Sequence, residues 1–165
     1  MTNYSTMLGS DRQSAHPNGT PRYYTDPNTE DIIGVAGELA FATRYNLKID
    51  DSIRPDGDNH IDFAIMYNGR KITFDVKTAK KAYNLLIKEW EIDICADVLI
   101  LAEYNDGDIR FLGWESRTEM KKQPTKIFSS LGINNYYKHR DRLNAMDRLD
   151  KFFNENSTKI TQILT

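Results

Sequence analysis

One cysteine in 165 residues excludes an internal disulfide. Cys95 sits among apolar neighbours, so it reads as a buried small hydrophobe in a reducing cytosol rather than a nucleophile or metal ligand. No apolar run approaches the ~20 residues of a membrane span. The first residues also lack the charged-then-apolar pattern of an export signal, and a cytoplasmic protein without membrane contact is expected. Zinc-type Cys/His spacing, a glycine-rich phosphate loop, internal repeats and low-complexity tracts are all missing. Excess charge is missing too: a formal net charge of −2 is a weak recommendation for a polyanionic partner.

What is present suffices for one core. Apolar residues make up 39% of the chain, and its mean hydropathy of −0.62 is that of an ordinary water-exposed fold. The charge is also unevenly spread. Residues 70–88 carry Arg70, Lys71, Lys77, Lys80, Lys81 and Lys88 against a single acid, Asp75, and residues 117–142 are basic as well. The acids gather in 26–31 and 50–62. A basic surface beside an acidic pocket suits a phosphate backbone.

The most informative stretch is Ile61 to Lys77. Two alternating β runs, 61–67 and 70–77, flank Asn68-Gly69, the strongest short signal for a two-residue type I′ hairpin. That turn sets the register: Tyr67 opposite Arg70, Ile65 opposite Ile72, Phe63 opposite Phe74 and Asp62 opposite Asp75. Paired Cβ atoms stand about 4.5–5.5 Å apart. With a side-chain period of two, Lys77 shares a face with Asp75 and Asp62. Two carboxylates facing each other repel, so a cation is expected between them. A hard divalent ion such as Mg2+ suits an all-oxygen pair and keeps waters for chemistry. The neighbouring lysine is placed to orient or deprotonate one of those waters, as metal-assisted phosphodiester hydrolysis requires.

Asp62, a twelve-residue gap and then Asp75-Val76-Lys77 resembles the signature of the PD-(D/E)xK nuclease superfamily, over roughly residues 30–114. Members often add a glutamate from a preceding helix, and Glu38 within GVAGELAF fits that place. Ile61 rather than proline precedes Asp62; the literal Pro-Asp pair is Pro55-Asp56, which makes Asp56 and Asp58 rivals. Asp62 is preferred because only it pairs across the hairpin with Asp75. Glu119-Met120-Lys121 also matches the short motif, but in a polar helical run with no strand expected before it. The resemblance implies an α/β fold with a restriction-endonuclease-like core, a central mixed sheet of four to five strands flanked by helices. It implies Mg2+ or Mn2+ held by Asp62, Asp75, the Val76 backbone carbonyl and Glu38, with Lys77 on the attacking water. The implied activity is DNA cleavage, in the manner of restriction, repair, phage or mobile-element endonucleases, leaving 5′-phosphate and 3′-hydroxyl ends. Arg70, Lys71, Lys80, Lys81 and His60 are the expected DNA contacts. Two coordinated cuts would need two active sites, which a homodimer supplies. The alternative is a silent DNA-binding or assembly module of the same fold.

Elsewhere the pattern is coarser. Residues 1–28 read as a flexible arm, in which Arg22-Tyr23-Tyr24 either pack on the domain or stack on bases. A single domain is expected over 29–165. A helix is predicted from about Thr29 to Tyr45, capped by Asn28 or Thr29, with Glu38 at the rim of its apolar face. Gly37 within it suggests close approach of another backbone. Leu47 to Asp50 reads as a short strand, 50–60 as an acidic loop and 81–91 as a helix. Residues 96–104 read as a strand covered on both faces, turning through Asp106-Gly107 into 108–114 with Glu103 opposite Arg110. From Glu115 the pattern turns helical, ending in a helix at about 139–155.

Overall fold

The computed structural model describes residues 27–49 and 61–164. Residues 1–26 and 50–60, and with them the arm, the acidic loop, Asp56, Asp58 and His60, lie outside the described residues. Helix α1 spans Pro27–Tyr45. It starts two residues before the expected point, as proline in a first turn allows, so Asn28 and Thr29 lie inside it rather than cap it. Strands β1 (Phe63–Tyr67) and β2 (Arg70–Ala79) follow, then β3 (Asn84–Lys88) and a 3-10 turn at Glu89–Glu91. Strands β4 (Val98–Asn105) and β5 (Asp108–Ser116) form a second hairpin, continued by the short helix α2 (Arg117–Met120). Strands β6 (Thr125–Ile127) and β7 (Asn134–His139), helix α3 (Met146–Glu155) and strand β8 (Thr161–Ile163) complete the order.

Among the described residues the fold is mixed α/β: a five-stranded sheet ordered β5-β4-β2-β1-β8 and a three-stranded sheet ordered β3-β7-β6. Only β2 and β4 run parallel within the larger sheet; its other neighbours are antiparallel. Strand β4 is buried on both faces, and each face serves a different core. Ile100 and Ala102 join Phe63, Ile65, Phe74 and Val76 beneath α1 and α3, whose Phe41, Leu149 and Phe153 cover them. Leu99 and Leu101 point the other way, against Leu85 and Ile87 of β3, Ile92, Cys95 and Met120. The smaller sheet therefore lies on the face of the larger one opposite the long helices. No helix among the described residues is long and apolar enough to cross a membrane.

Both hairpins have the expected register. Asn68 and Gly69 take φ of 50° and 73°, Asp106 and Gly107 49° and 92°, the left-handed values a type I′ turn requires. Phe63 pairs with Phe74, Tyr67 with Arg70, and Glu103 with Arg110, whose side chains meet at 3.0 Å.

Four expectations fail. Residues 81–91 are not a helix: Leu85 and Ile87 point inward in alternation, and β3 pairs with β7, some fifty residues on. Leu47 to Ile49 form no strand, because β8 occupies the outer edge of β1, and Lys48 instead exchanges both backbone hydrogen bonds with the Gln162 amide. The region after Glu115 is helical only through α2, then turns to β6 and β7. The final helix starts at Met146 rather than 139, since Asn144 is held extended by paired backbone bonds to Trp114.

Candidate functional site

The β1–β2 ladder ends at Phe63 and Phe74, one residue short of the two acids. There the strands part. The Asp62 N–H donates to the Phe74 carbonyl at 2.8 Å, and Asp62 Oδ2 accepts from the Val76 N–H at 2.7 Å. The side chain thus caps the backbone group that the vanished ladder leaves open. In a strand the N–H and C=O of one residue point to the same edge, so the Val76 carbonyl faces this gap as well. On its other edge β2 runs parallel to β4, Asp75 beside Leu99 and Lys77 beside Leu101.

Glu38 enters from α1. It is 5% exposed, buried rather than poised at solvent as the helical pattern had suggested. Two neighbours set its height. Phe41, one turn on, is fully buried with its ring 5.2 Å from Phe63 and 5.7 Å from Phe74. Gly37 lets the helix settle on β2: a Cβ there would stand 1.9 Å from Thr78 Oγ1. The close approach that the glycine signalled is by this side chain, not by a backbone. Lowered in this way, Glu38 reaches hydrogen-bonding contact with Asp62, which also contacts Asp75. The three acids are brought together.

Their proximity shows in their protonation. Asp62 is held well above the usual carboxylate range, first by burial, then by the charges of Glu38 and Asp75 and hydrogen bonds with both. Lys77 Nζ lies 2.7 Å from Asp75 Oδ2. Burial opposes the lysine's charge, but Asp75, then Glu91 and Asp62, outweigh it and hold the ammonium above its ordinary value. Lys77 is therefore held as a fixed positive charge beside Asp75.

The donor set fits a hard divalent cation in kind. Asp75 is 4% exposed, and its Oδ2 is held by the Lys77 ammonium at 2.7 Å. That buried oxygen, the Asp62 carboxylate, Glu38 and the Val76 carbonyl are all-oxygen ligands of the class that Mg2+ and Mn2+ take. Among the described residues no three His, Cys, Asp or Glu side chains already stand at metal-holding distances. The arrangement explains this, since Asp62 is turned to a backbone N–H and Lys77 occupies the cationic place on Asp75.

The other expected residues scatter. Lys80 and Lys81 are exposed just beyond the acids, at the end of β2. Arg70 and Lys71 are exposed at the opposite end of that strand, roughly 15 Å away at about 3.3 Å per residue, and do not join the site. Glu119-Met120-Lys121 does follow a strand, β5, contrary to expectation, yet its charges are spent on surface pairs, Glu119 with Lys122 and Lys121 with Asp93. Cys95 is buried, its thiol pushed up to about 11 mainly by loss of water.

One residue went unforeseen. Glu91, 5% exposed, lies in the 3-10 turn after β3, 4.0 Å from Lys88, with its charge bearing on Lys77. Its only sequence signal was an acid set among Trp90, Ile92 and Ile94. A separate groove of about 550 Å³ lies between α1 and the β4–β5 hairpin, lined by Ile32, Ala36, Tyr104 and Phe111. It holds none of these acids. Comparison with protein-family models, curated proteins and solved structures gives no match for this chain.

Proposed function

We propose that this chain is a metal-dependent deoxyribonuclease of the PD-(D/E)xK type, with a restriction-endonuclease-like core, cutting DNA internally to leave 5′-phosphate and 3′-hydroxyl ends. One observation carries the reading: Glu38, Asp62 and Asp75, from three separate elements, converge in one buried gap with Lys77 ion-paired at its side. A fold selected for stability alone would not gather two buried carboxyls and a half-buried third around a single lysine.

Asp62, Asp75, the Val76 carbonyl and Glu38 would hold the divalent ion. Once bound, such an ion supplies Lewis-acid stabilisation of charge on the scissile phosphate and acidifies a coordinated water. The chain's own contribution is positioning. Lys77, fixed by Asp75, donates to the attacking water and favours its ionised form by charge alone. Glu38 holds Asp62 in place. Exposed Lys80 and Lys81 meet the flanking phosphates.

Nicking of supercoiled plasmid tests this directly. With Mg2+ or Mn2+ the wild type is expected to nick, EDTA to stop it, and Lys77→Ala or Asp75→Ala to lower the rate by about 10²-fold or more with the fold intact by circular dichroism. Nicking by either variant at the wild-type rate would overturn the assignment. DNA binding with no cleavage under any metal would instead mark a silent module of the same fold.

A further inference from the structure

Two large aromatic side chains stand out of the surface at the two ends of β3. Tyr83 is 57% exposed and Trp90 60% exposed. Each carries a cation over its ring: Arg140 at 5.8 Å from the Tyr83 centroid and Lys88 at 5.7 Å from the Trp90 centroid. Lys80 and Lys81, also exposed, lead from the end of β2 to Tyr83. We propose that this surface, from Tyr83 along β3 to Trp90, holds an unpaired DNA strand beside the acidic gap, with bases stacked on the two rings and phosphates on the lysines and Arg140. The proposal rests on the nuclease reading and narrows its substrate to single-stranded or splayed DNA.

Position and chemistry both favour it. Tyr83 follows the last residue of β2 by four positions, and Trp90 adjoins Glu91, which is buried beside Lys77. Both rings therefore lie close along the chain to residues of the gap. Five strand residues at about 3.3 Å and a short 3-10 turn at about 2 Å per residue separate them by roughly 20 Å, room for several nucleotides. Exposed aromatics with adjacent cations are what strand-tracking proteins use, because every base has a face to stack. A duplex offers no such faces, since its bases are stacked on one another and show only edges in the grooves. Of the nearby acids, Glu103 is shared between Arg110 and Arg140 and Glu91 is buried 4.0 Å from Lys88, while Glu89 keeps its charge beside the Asn134 amide.

The test is binding in EDTA, where no cleavage intervenes. Fluorescence anisotropy with a labelled single-stranded oligonucleotide, its duplex and the matching RNA would be measured for wild type, Tyr83→Ala/Trp90→Ala and Tyr83→Phe/Trp90→Phe. The single-stranded DNA is expected to bind most tightly. Each lost ring is expected to weaken that binding about tenfold, with duplex binding unchanged and the phenylalanine pair close to wild type. Preference of the wild type for duplex or RNA, or equal binding by the alanine pair, would overturn the proposal. So would a phenylalanine pair as weak as the alanine pair. Ring-dependent binding without cleavage of either plasmid or single-stranded DNA in Mg2+ or Mn2+ would sink the catalytic reading and leave this one standing. Nicking without ring dependence would do the reverse.

Discussion

A carboxyl removed from water and set against two others keeps its proton to higher pH than the same group in an unfolded chain. Asp62 is in that position. Its folded state binds more protons than its unfolded state, so its contribution to stability is present below the ordinary carboxylate value and is lost as pH rises through the raised one. Asp150 has the opposite sign: Arg44 at 2.8 Å lowers it, and its contribution is lost only as pH falls below the ordinary range. Lys77 stays protonated in both states across this window and adds no slope. In EDTA, Asp62→Asn should therefore gain stability relative to the wild type as pH rises from about 4 towards neutrality. Mn2+ should restore stability most at the high end, because a metal takes the deprotonated ligands. Thermal unfolding of both proteins with and without metal checks this. An identical pH dependence in the two proteins would remove Asp62 as a source of it.

Helix α1 carries two glycines that make opposite predictions. Gly34 has nothing within 4 Å of a prospective Cβ, so Gly34→Ala should stabilise by about 0.5–1 kcal/mol through helix propensity. Gly37→Ala would drive a methyl into Thr78, with Oγ1 at 1.9 Å and Cβ at 3.0 Å, and should lower Tm and cleavage together by lifting Glu38 away from Asp62. Adding Thr78→Ala should restore part of both losses; equal Tm for the two glycine variants would refute the contact. The same elements show what was legible in the sequence. Asn68-Gly69 and Asp106-Gly107 announce their hairpins within a few residues, and the first turn alone aligned Asp62 with Asp75 and Lys77. Strand β3 was illegible because its partner, β7, is remote, and because Ala82, Leu85, Leu86 and Trp90 mimic helical spacing. Glu91 was missed with it, its burial decided by how the second sheet folds back. Strands β6 and β8, three residues each, are too short for any periodicity to register.

At the scale of the whole molecule, the site depends on how the two sheets are held face to face. Asp75 and Lys77 belong to the larger sheet, whereas Glu91, Tyr83 and Trp90 hang on β3 of the smaller one. One buried pair ties them: Lys138 of β7 meets Glu115 of β5 at 2.5 Å, with side chains 12% and 6% exposed. Glu115 is otherwise satisfied by the Ser116 N–H at 2.9 Å and the Asn144 amide at 3.1 Å, so its charge relies on Lys138 alone for compensation within the pair. Removing one partner of a buried pair strands the other. Lys138→Met should cost about 3–5 kcal/mol in urea unfolding, while Lys138→Met with Glu115→Leu should recover most of it, since an apolar pair avoids the desolvation that the ions bear. The double variant then separates two roles. If the pair only adds stability, cleavage returns with the fold. If it also sets the register of β7, and through β7 that of β3, cleavage and single-strand binding stay low in a protein as stable as the wild type, because Leu and Met fill the space without fixing the alignment that a charged contact imposes.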